Sequence, residues 1–398
     1  MPAKPDITPA APLAPGLSGV APSLIRRIAD AAFGMGDVLK LHFGESDQPT
    51  PEFIKEAAVR ALADGFTYYT ANAGLPTLRA AISETTATLH GIRLDPQREV
   101  LVTASGVQAL NVAIRCTLDP GDEAIVLTPN WPNASSIVAL YGGRAREIPL
   151  RWSGERYTVD PEALEAALGP RTRLLVYASP SNPLGWVARA AEQDALLAFC
   201  RRNGLWLLAD EVYERIYFDG PVAPSILCRC TRDDAVIVVQ SFSKSYCMTG
   251  WRLGWLAARA DLVEQAAQLN EFIVSHAPSM VQRAGETALR RGEDFVQSMR
   301  EQVVRRVAAC HRRLQSVRGV SVAPPEGSFY LFPRIDGVAD SLAFALALLR
   351  EQRVAVAPGA AFGRGGEGAV RICCAADESI LDPAMERLAR FIESGQRG

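Results

Sequence analysis

From about residue 99 onward the chain alternates short apolar runs with stretches of helical spacing. The runs at 100–103, 124–127, 174–177, 206–209 and 236–239 have strand length and lack apolar–polar alternation, the pattern of strands covered on both faces. Between them, residues 161–168 and 192–202 carry good helix formers at helical periodicity. Strands alternating with helices predict an α/β fold, with a large domain whose sheet is mostly parallel and covered by helices. Beyond about residue 290 the rhythm changes. An Arg-rich helical stretch at 293–317 leads to Pro324-Pro325-Glu326-Gly327, strands at 329–332, 354–357 and 370–373, and a last helix at 383–392. This second pattern predicts a smaller α+β domain joined by the N-terminal segment. The expected division is therefore 23–50 with 290–398 for the small domain and 51–289 for the large one. Residues 1–22 hold six prolines and five alanines and read as a mobile tail.

Charge and composition narrow the function. Lys plus Arg number 42 against 44 Asp plus Glu, a net charge of −2, which gives no electrostatic footprint for nucleic acid or an anionic membrane. No apolar run approaches a membrane span. The eight cysteines and four histidines contain no C-x-x-C pair and no zinc spacing, so no metal is expected and a reducing, cytoplasmic setting is the simplest home. Residues 363–368 spell G-x-G-x-x-G, but they precede a β-like run instead of opening a helix, so they are not read as a dinucleotide loop. Only four of the 42 basic residues are lysines: Lys4, Lys40, Lys55 and Lys244.

The residues just after each strand carry the chemistry, because open parallel sheets bind ligands beyond the carboxyl ends of their strands. The first run leads into Ala104-Ser105-Gly106-Val107, a small-residue turn opening a helix and suited to a phosphate. The second leads to Thr128-Pro129-Asn130-Trp131, and the third to Ser181-Asn182-Pro183-Leu184-Gly185. The fourth ends in Asp210-Glu211-Val212-Tyr213, and the fifth in Ser241-Phe242-Ser243-Lys244, with Gly250-Trp251-Arg252 after it. Taken singly each has a mundane reading; together they place polar and aromatic groups around one crevice.

These residues resemble the fold-type I pyridoxal-phosphate aminotransferases, in the branch of the aspartate and aromatic aminotransferases. The resemblance runs from about Ser23 to the C-terminus. It rests on Ser-x-Ser-Lys followed by Gly-Trp-Arg-x-Gly, on Asn-Pro-x-Gly and on Asp-Glu-x-Tyr. It implies pyridoxal 5′-phosphate as cofactor and transfer of an amino group between an L-amino acid (aspartate, aromatic or other neutral donor) and a 2-oxo acid by a ping-pong mechanism. A carbon–sulfur β-lyase of the same fold is the alternative. Lys244 would form the Schiff base and act as general base, a role needing a neutral amine. Asp210 would pair with the ring nitrogen, Tyr213 and Asn182 with the ring 3′-oxygen, and Trp131 would stack on the ring. Ser105, Gly106, Val107, Ser241, Ser243 and Arg252 would hold the phosphate. Arg371 and Gly44 would receive the substrate α-carboxylate, and Trp131 and Asn182 would contact the substrate as well as the ring. Tyr69 would reach the phosphate of a neighbouring subunit, implying a homodimer with shared sites. Acid-specific relatives often carry a lysine where Val107 stands, so the resemblance does not single out aspartate as the donor.

Overall fold

The computed structural model describes residues 20–395; most of the Pro/Ala-rich 1–22 segment lies outside the described residues. Seven strands form the central sheet: β1 Val100–Thr103, β2 Glu123–Thr128, β3 Arg144–Pro149, β4 Thr172–Ala178, β5 Trp206–Asp210, β6 Val236–Ser241 and β7 Gly254–Ala258, in the order β1-β7-β6-β5-β4-β2-β3. All run parallel except β7, which is antiparallel to both neighbours. The fold is thus the expected α/β arrangement, a mostly parallel sheet flanked by helices.

Burial explains why five strands were legible as unbroken apolar runs. Leu101, Val126, Leu174, Val176, Leu208, Ile237 and Val239 pack on one face with Leu110, Ile114, Ile137 and Leu262 of the covering helices. Their sequence neighbours Ile125, Leu127, Leu175, Tyr177, Leu207 and Val238 pack on the other face with Leu164, Leu196 and Phe199. Each face buries apolar area at roughly 25 cal/mol per Å², so neither tolerates polar alternation. The two strands not foreseen differ for separate reasons. β3 is a sheet edge whose Arg-Ala-Arg-Glu-Ile-Pro sequence is only half-buried. β7 begins at the last glycine of the Gly-Trp-Arg-x-Gly motif, whose residues signal chemistry and not a strand.

The first and last parts of the described chain share a second core. Ile28, Ala32 and Leu41 pack with Met299, Val303, Phe344, Leu348, Leu388 and Phe391. Leu39–Lys40 pairs in parallel with Val354–Ala355, and Val370–Cys373 lies between Tyr330–Leu331 and Ala357–Pro358, antiparallel to both. The final helix starts at Glu378, five residues before the expected Pro383. Asp377 caps it by accepting from the Ser379 amide at 3.0 Å, and the apolar stripe through Leu381, Ala384, Met385 and Leu388 holds it across the proline. Among the described residues no helix is long and apolar enough to cross a membrane.

Candidate active site

Sheet register brings the sequence motifs to one edge. Asp210, the last residue of β5, lies beside Ala178 of β4 and Val239 of β6. Gly254, the first residue of antiparallel β7, lies between Thr103 of β1 and Ser241 of β6. A glycine is required there: a Cβ at 254 would stand 2.5 Å from the Gly106 nitrogen and 2.7 Å from the Gln240 carbonyl oxygen. The close approach seats the Ser105–Gly106 turn on the Ser241 turn. Ser105 itself has φ 109°, a conformation L-residues rarely adopt. Its Oγ accepts from the Gln108 amide at 3.2 Å and caps the helix Gly106–Thr117, leaving the first amides of that helix at the sheet edge.

A cleft with about 1020 Å³ of empty space opens at this edge. Gly44, Gly106, Val107, Trp131, Asn182, Asp210, Tyr213, Ser241, Ser243, Lys244 and Arg252 line it, with Phe43, Glu45, Leu110 and Tyr330. Ser105 stands behind the lining as helix cap. Arg371 reaches the cleft through contacts with Asn182 and with the rings of Tyr330 and Trp131. Tyr69 does not line it; it is 91% exposed, edge-on to His276.

Lys244 sits in the short helix Phe242–Ser245, whose first turn is fixed by the Ser243 amide donating to Ser241 Oγ at 3.1 Å. Its Nζ donates to the Gly44 carbonyl at 2.5 Å. Burial lowers the amine to about 8; the nearby Arg371 charge acts in the same direction, opposed by Cys373, Glu45 and Asp210. Asp210 moves the other way. Burial pushes its carboxyl up to about 6, against the lowering effects of the Val212 amide at 3.3 Å and of Lys244. An acid raised by desolvation at a strand end is a strong acceptor for a cationic N–H.

Arg371 is fully buried. Its Nη1 donates to Asn182 Oδ1 at 3.0 Å and its Nη2 to the His42 carbonyl at 2.5 Å, while Nε has no partner. Among the described residues no carboxylate pairs with it, although it packs over the Tyr330 ring at 4.4 Å and the Phe362 ring at 5.0 Å. Arg252, in the left-handed region at φ 55°, is exposed at the rim and donates to the Thr249 carbonyl at 2.7 Å. Val107, 41% exposed, lines the cleft together with Leu110, Phe43 and Trp131.

Two neighbours of the site were not singled out from sequence. His42 is buried, with its carbonyl on Arg371; burial and that guanidinium push its imidazole down to about 4, so the ring is neutral. Tyr330 bridges Tyr213 and Arg371. His42 had a faint signal, as one of four histidines and two residues before Gly44; Tyr330 lies in an apolar strand and had none. The glycine loop at 363–368 is a structural turn, with the Arg364 amide donating to Glu147 at 2.8 Å and the Gly365 carbonyl accepting from Arg334 at 3.1 Å.

The chain is similar to known proteins over nearly its whole length. The family model described as aminotransferase class I and II matches residues 36–388. An aspartate aminotransferase of Pyrococcus abyssi is 36% identical over 94% of this chain and 96% of its own length. An aromatic-amino-acid aminotransferase of Thermococcus litoralis is 34% identical over 95% and 97%. A crystal structure of an aromatic aminotransferase from Pyrococcus horikoshii superposes with a TM-score of 0.86 at 34% identity, over 93% of this chain and 100% of that one. Matches of this length and identity make the chain a member of the class I and II aminotransferases, a pyridoxal-phosphate-dependent enzyme that moves an amino group between an amino acid and a 2-oxo acid.

Proposed function

We propose that the cleft carries out this transfer with Arg371 as the anchor for the substrate α-carboxylate and Lys244 as the proton carrier at the substrate Cα, and that it favours aromatic or other neutral L-amino acids over aspartate. The observation that carries the reading is the Arg371 guanidinium: fully buried, without a carboxylate partner, and with Nε unpartnered. A buried charge left in this state is expensive, and a planar carboxylate matches its fork with two parallel charge-assisted bonds.

The donor set also fits the cofactor. The helix amides at Gly106 and Val107, the hydroxyls of Ser241 and Ser243, and the Arg252 guanidinium suit a phosphate, with Ser105 supporting them as the helix cap behind the lining. Asp210 supplies an anion for a protonated ring nitrogen, Tyr213 and Asn182 hydrogen-bond partners for the ring 3′-oxygen, and Trp131 a stacking face. When bound, pyridoxal 5′-phosphate provides the carbonyl carbon that receives the amino group and a ring that spreads negative charge away from the substrate Cα. The protein's part is to place and move protons. Asp210 keeps the ring-nitrogen proton in place. Lys244, with an amine lowered to about 8, takes a proton from Cα and returns one on the way to the 2-oxo acid. Gly44 closes against Tyr330: a Cβ at 44 would lie 1.9 Å from the Tyr330 Oη, so the backbone there approaches as only glycine can.

The preference for neutral donors follows from the apolar lining of the cleft. An aromatic or aliphatic side chain would bury apolar area against Val107, Leu110, Phe43 and Trp131. The cations packed on these residues, Arg26 at 5.5 Å from the Phe43 ring and Arg371 at 5.9 Å from the Trp131 ring, are held over ring faces. The relatives named above include both aspartate and aromatic enzymes at similar identity, so overall likeness does not decide the donor. A second copy of the chain is proposed to cover the bare patch of Tyr68, Tyr69, Phe272, Ile273 and Val274, three of them 82–91% exposed. That arrangement would bring Tyr69 into the partner's cleft.

The test is to mix reconstituted protein with single amino acids, without an acceptor, and follow the cofactor's absorption. Phenylalanine or leucine is expected to drive the half-reaction faster than aspartate. Equal or faster reaction with aspartate would refute the donor preference, and rapid turnover by Lys244→Ala would refute the role of the lysine.

A further inference from the structure

Tyr330 has no role assigned by the motifs, yet it touches three groups of the site. It stands on Tyr330–Leu331, paired antiparallel with Val370–Cys373 in the register Tyr330↔Cys373. Arg371, two residues from Cys373 on the same face, is therefore the diagonal neighbour of Tyr330. The Tyr330 ring lies under the Arg371 guanidinium, 4.4 Å from ring centre to Cζ. Its hydroxyl lies 2.6 Å from the Tyr213 hydroxyl, and both side chains are buried. Around this pair stand Lys244, whose Nζ is 5.6 Å from the Tyr213 ring centre, and the charged or titratable Arg371, Cys373 and Glu45.

We infer that Tyr330 is a positioning residue for the transfer reaction: its hydroxyl donates to Tyr213, and its ring seats Arg371. The inference rests on the roles proposed above for Tyr213 and Arg371. Proton counting fixes the direction of the bond. Each phenol has one proton. If Tyr213 gives its proton to the ring 3′-oxygen, only the Tyr330 proton remains to fill the 2.6 Å contact. Tyr213 then accepts from Tyr330 while donating to the cofactor, and each bond polarises and strengthens the next. The same side chain holds the guanidinium plane by cation–π contact, so one residue supports both the donor to the cofactor and the anchor for the substrate carboxylate.

A donor on the 3′-oxygen withdraws charge from the lysine–cofactor linkage and lowers its affinity for a proton. Weakening that donor raises it. The experiment records the pH midpoint of the visible absorption change of bound cofactor in holoenzymes carrying Tyr330→Phe, Tyr213→Phe or neither substitution. Tyr330→Phe keeps the ring on Arg371 and is expected to raise the midpoint by about half a unit to one unit, a three- to tenfold change in proton affinity. It is expected to lower kcat with little change in KM for the amino donor. Tyr330→Leu removes the ring as well, and should also weaken inhibition by 3-phenylpropionate, a simple carboxylate, by about tenfold. A Tyr330→Phe midpoint equal to the wild type, with Tyr213→Phe shifted, would overturn the inference and leave the site reading standing. If Tyr213→Phe is also unshifted, the role proposed for Tyr213 fails, and this inference fails with it.

Discussion

Replacing Lys244 with methionine is expected to stabilise the cofactor-free protein at neutral pH, although it abolishes transfer. The amine is lowered from 10.5 to about 8, chiefly by burial. Folding therefore removes the charged form from water at an unfavourable free energy of about 3 kcal/mol, taking 1.36 kcal/mol for each unit. Two terms reduce that figure. Lys244 is half-buried, so solvent screens part of the effect. The substitution also loses the 2.5 Å hydrogen bond to the Gly44 carbonyl, worth roughly 1 kcal/mol. A net gain of about 1–2 kcal/mol remains for Lys244→Met below pH 8. The pH dependence has a definite sign. Between about 8 and 10.5 the unfolded lysine still binds a proton that the folded one has released, so wild-type stability rises with pH relative to the variant. Below 8 both states hold the proton and the gap is constant. Urea unfolding of both cofactor-free proteins across this window reads the term, together with the responses of Asp210 and Cys373, whose carboxyl and thiol interact with Lys244. A difference that stays flat across the window would refute the placement of a destabilised amine at the cleft floor.

Two further substitutions probe the ends of the cleft. Arg252→Ala removes the exposed guanidinium at the phosphate end, where charge-assisted bonds contribute about 1.5–3 kcal/mol. It is expected to raise the Kd for pyridoxal 5′-phosphate about 10- to 100-fold in an absorbance titration, and an unchanged Kd would remove Arg252 from the phosphate site. Val107→Lys places a cation among the apolar groups of the cleft lining, and should raise kcat/KM for aspartate relative to phenylalanine by about three- to tenfold, the range of a partly exposed ion pair with good geometry. No change in that ratio would show that the side-chain pocket lies elsewhere.

Much of this protein was legible in its sequence, for local reasons. A run such as Val-Ile-Val-Val at 236–239 needs both faces covered, which dictates a helix-flanked sheet. Lys244 stands out because arginine, always charged, cannot serve as an amine nucleophile; this chain has only four lysines. Asn182, Asp210, Tyr213 and Arg252 each come after a strand or a turn, so a rule about strand ends was enough to bring them together. The tertiary structure decided what no local pattern encodes. Whether a strand is an edge such as β3 or reversed such as β7 depends on its neighbours. The requirement for glycine at 254 arises from the Gly106 and Gln240 backbones, 148 and 14 residues away in sequence. His42, Tyr330 and Arg371 are joined by hydrogen bonds and ring contacts across roughly 330 residues of chain. Sequence spacing fixes which face a residue takes, because the helix and strand periods are set by the backbone. It does not fix which distant side chain meets that face, because that choice is made by packing.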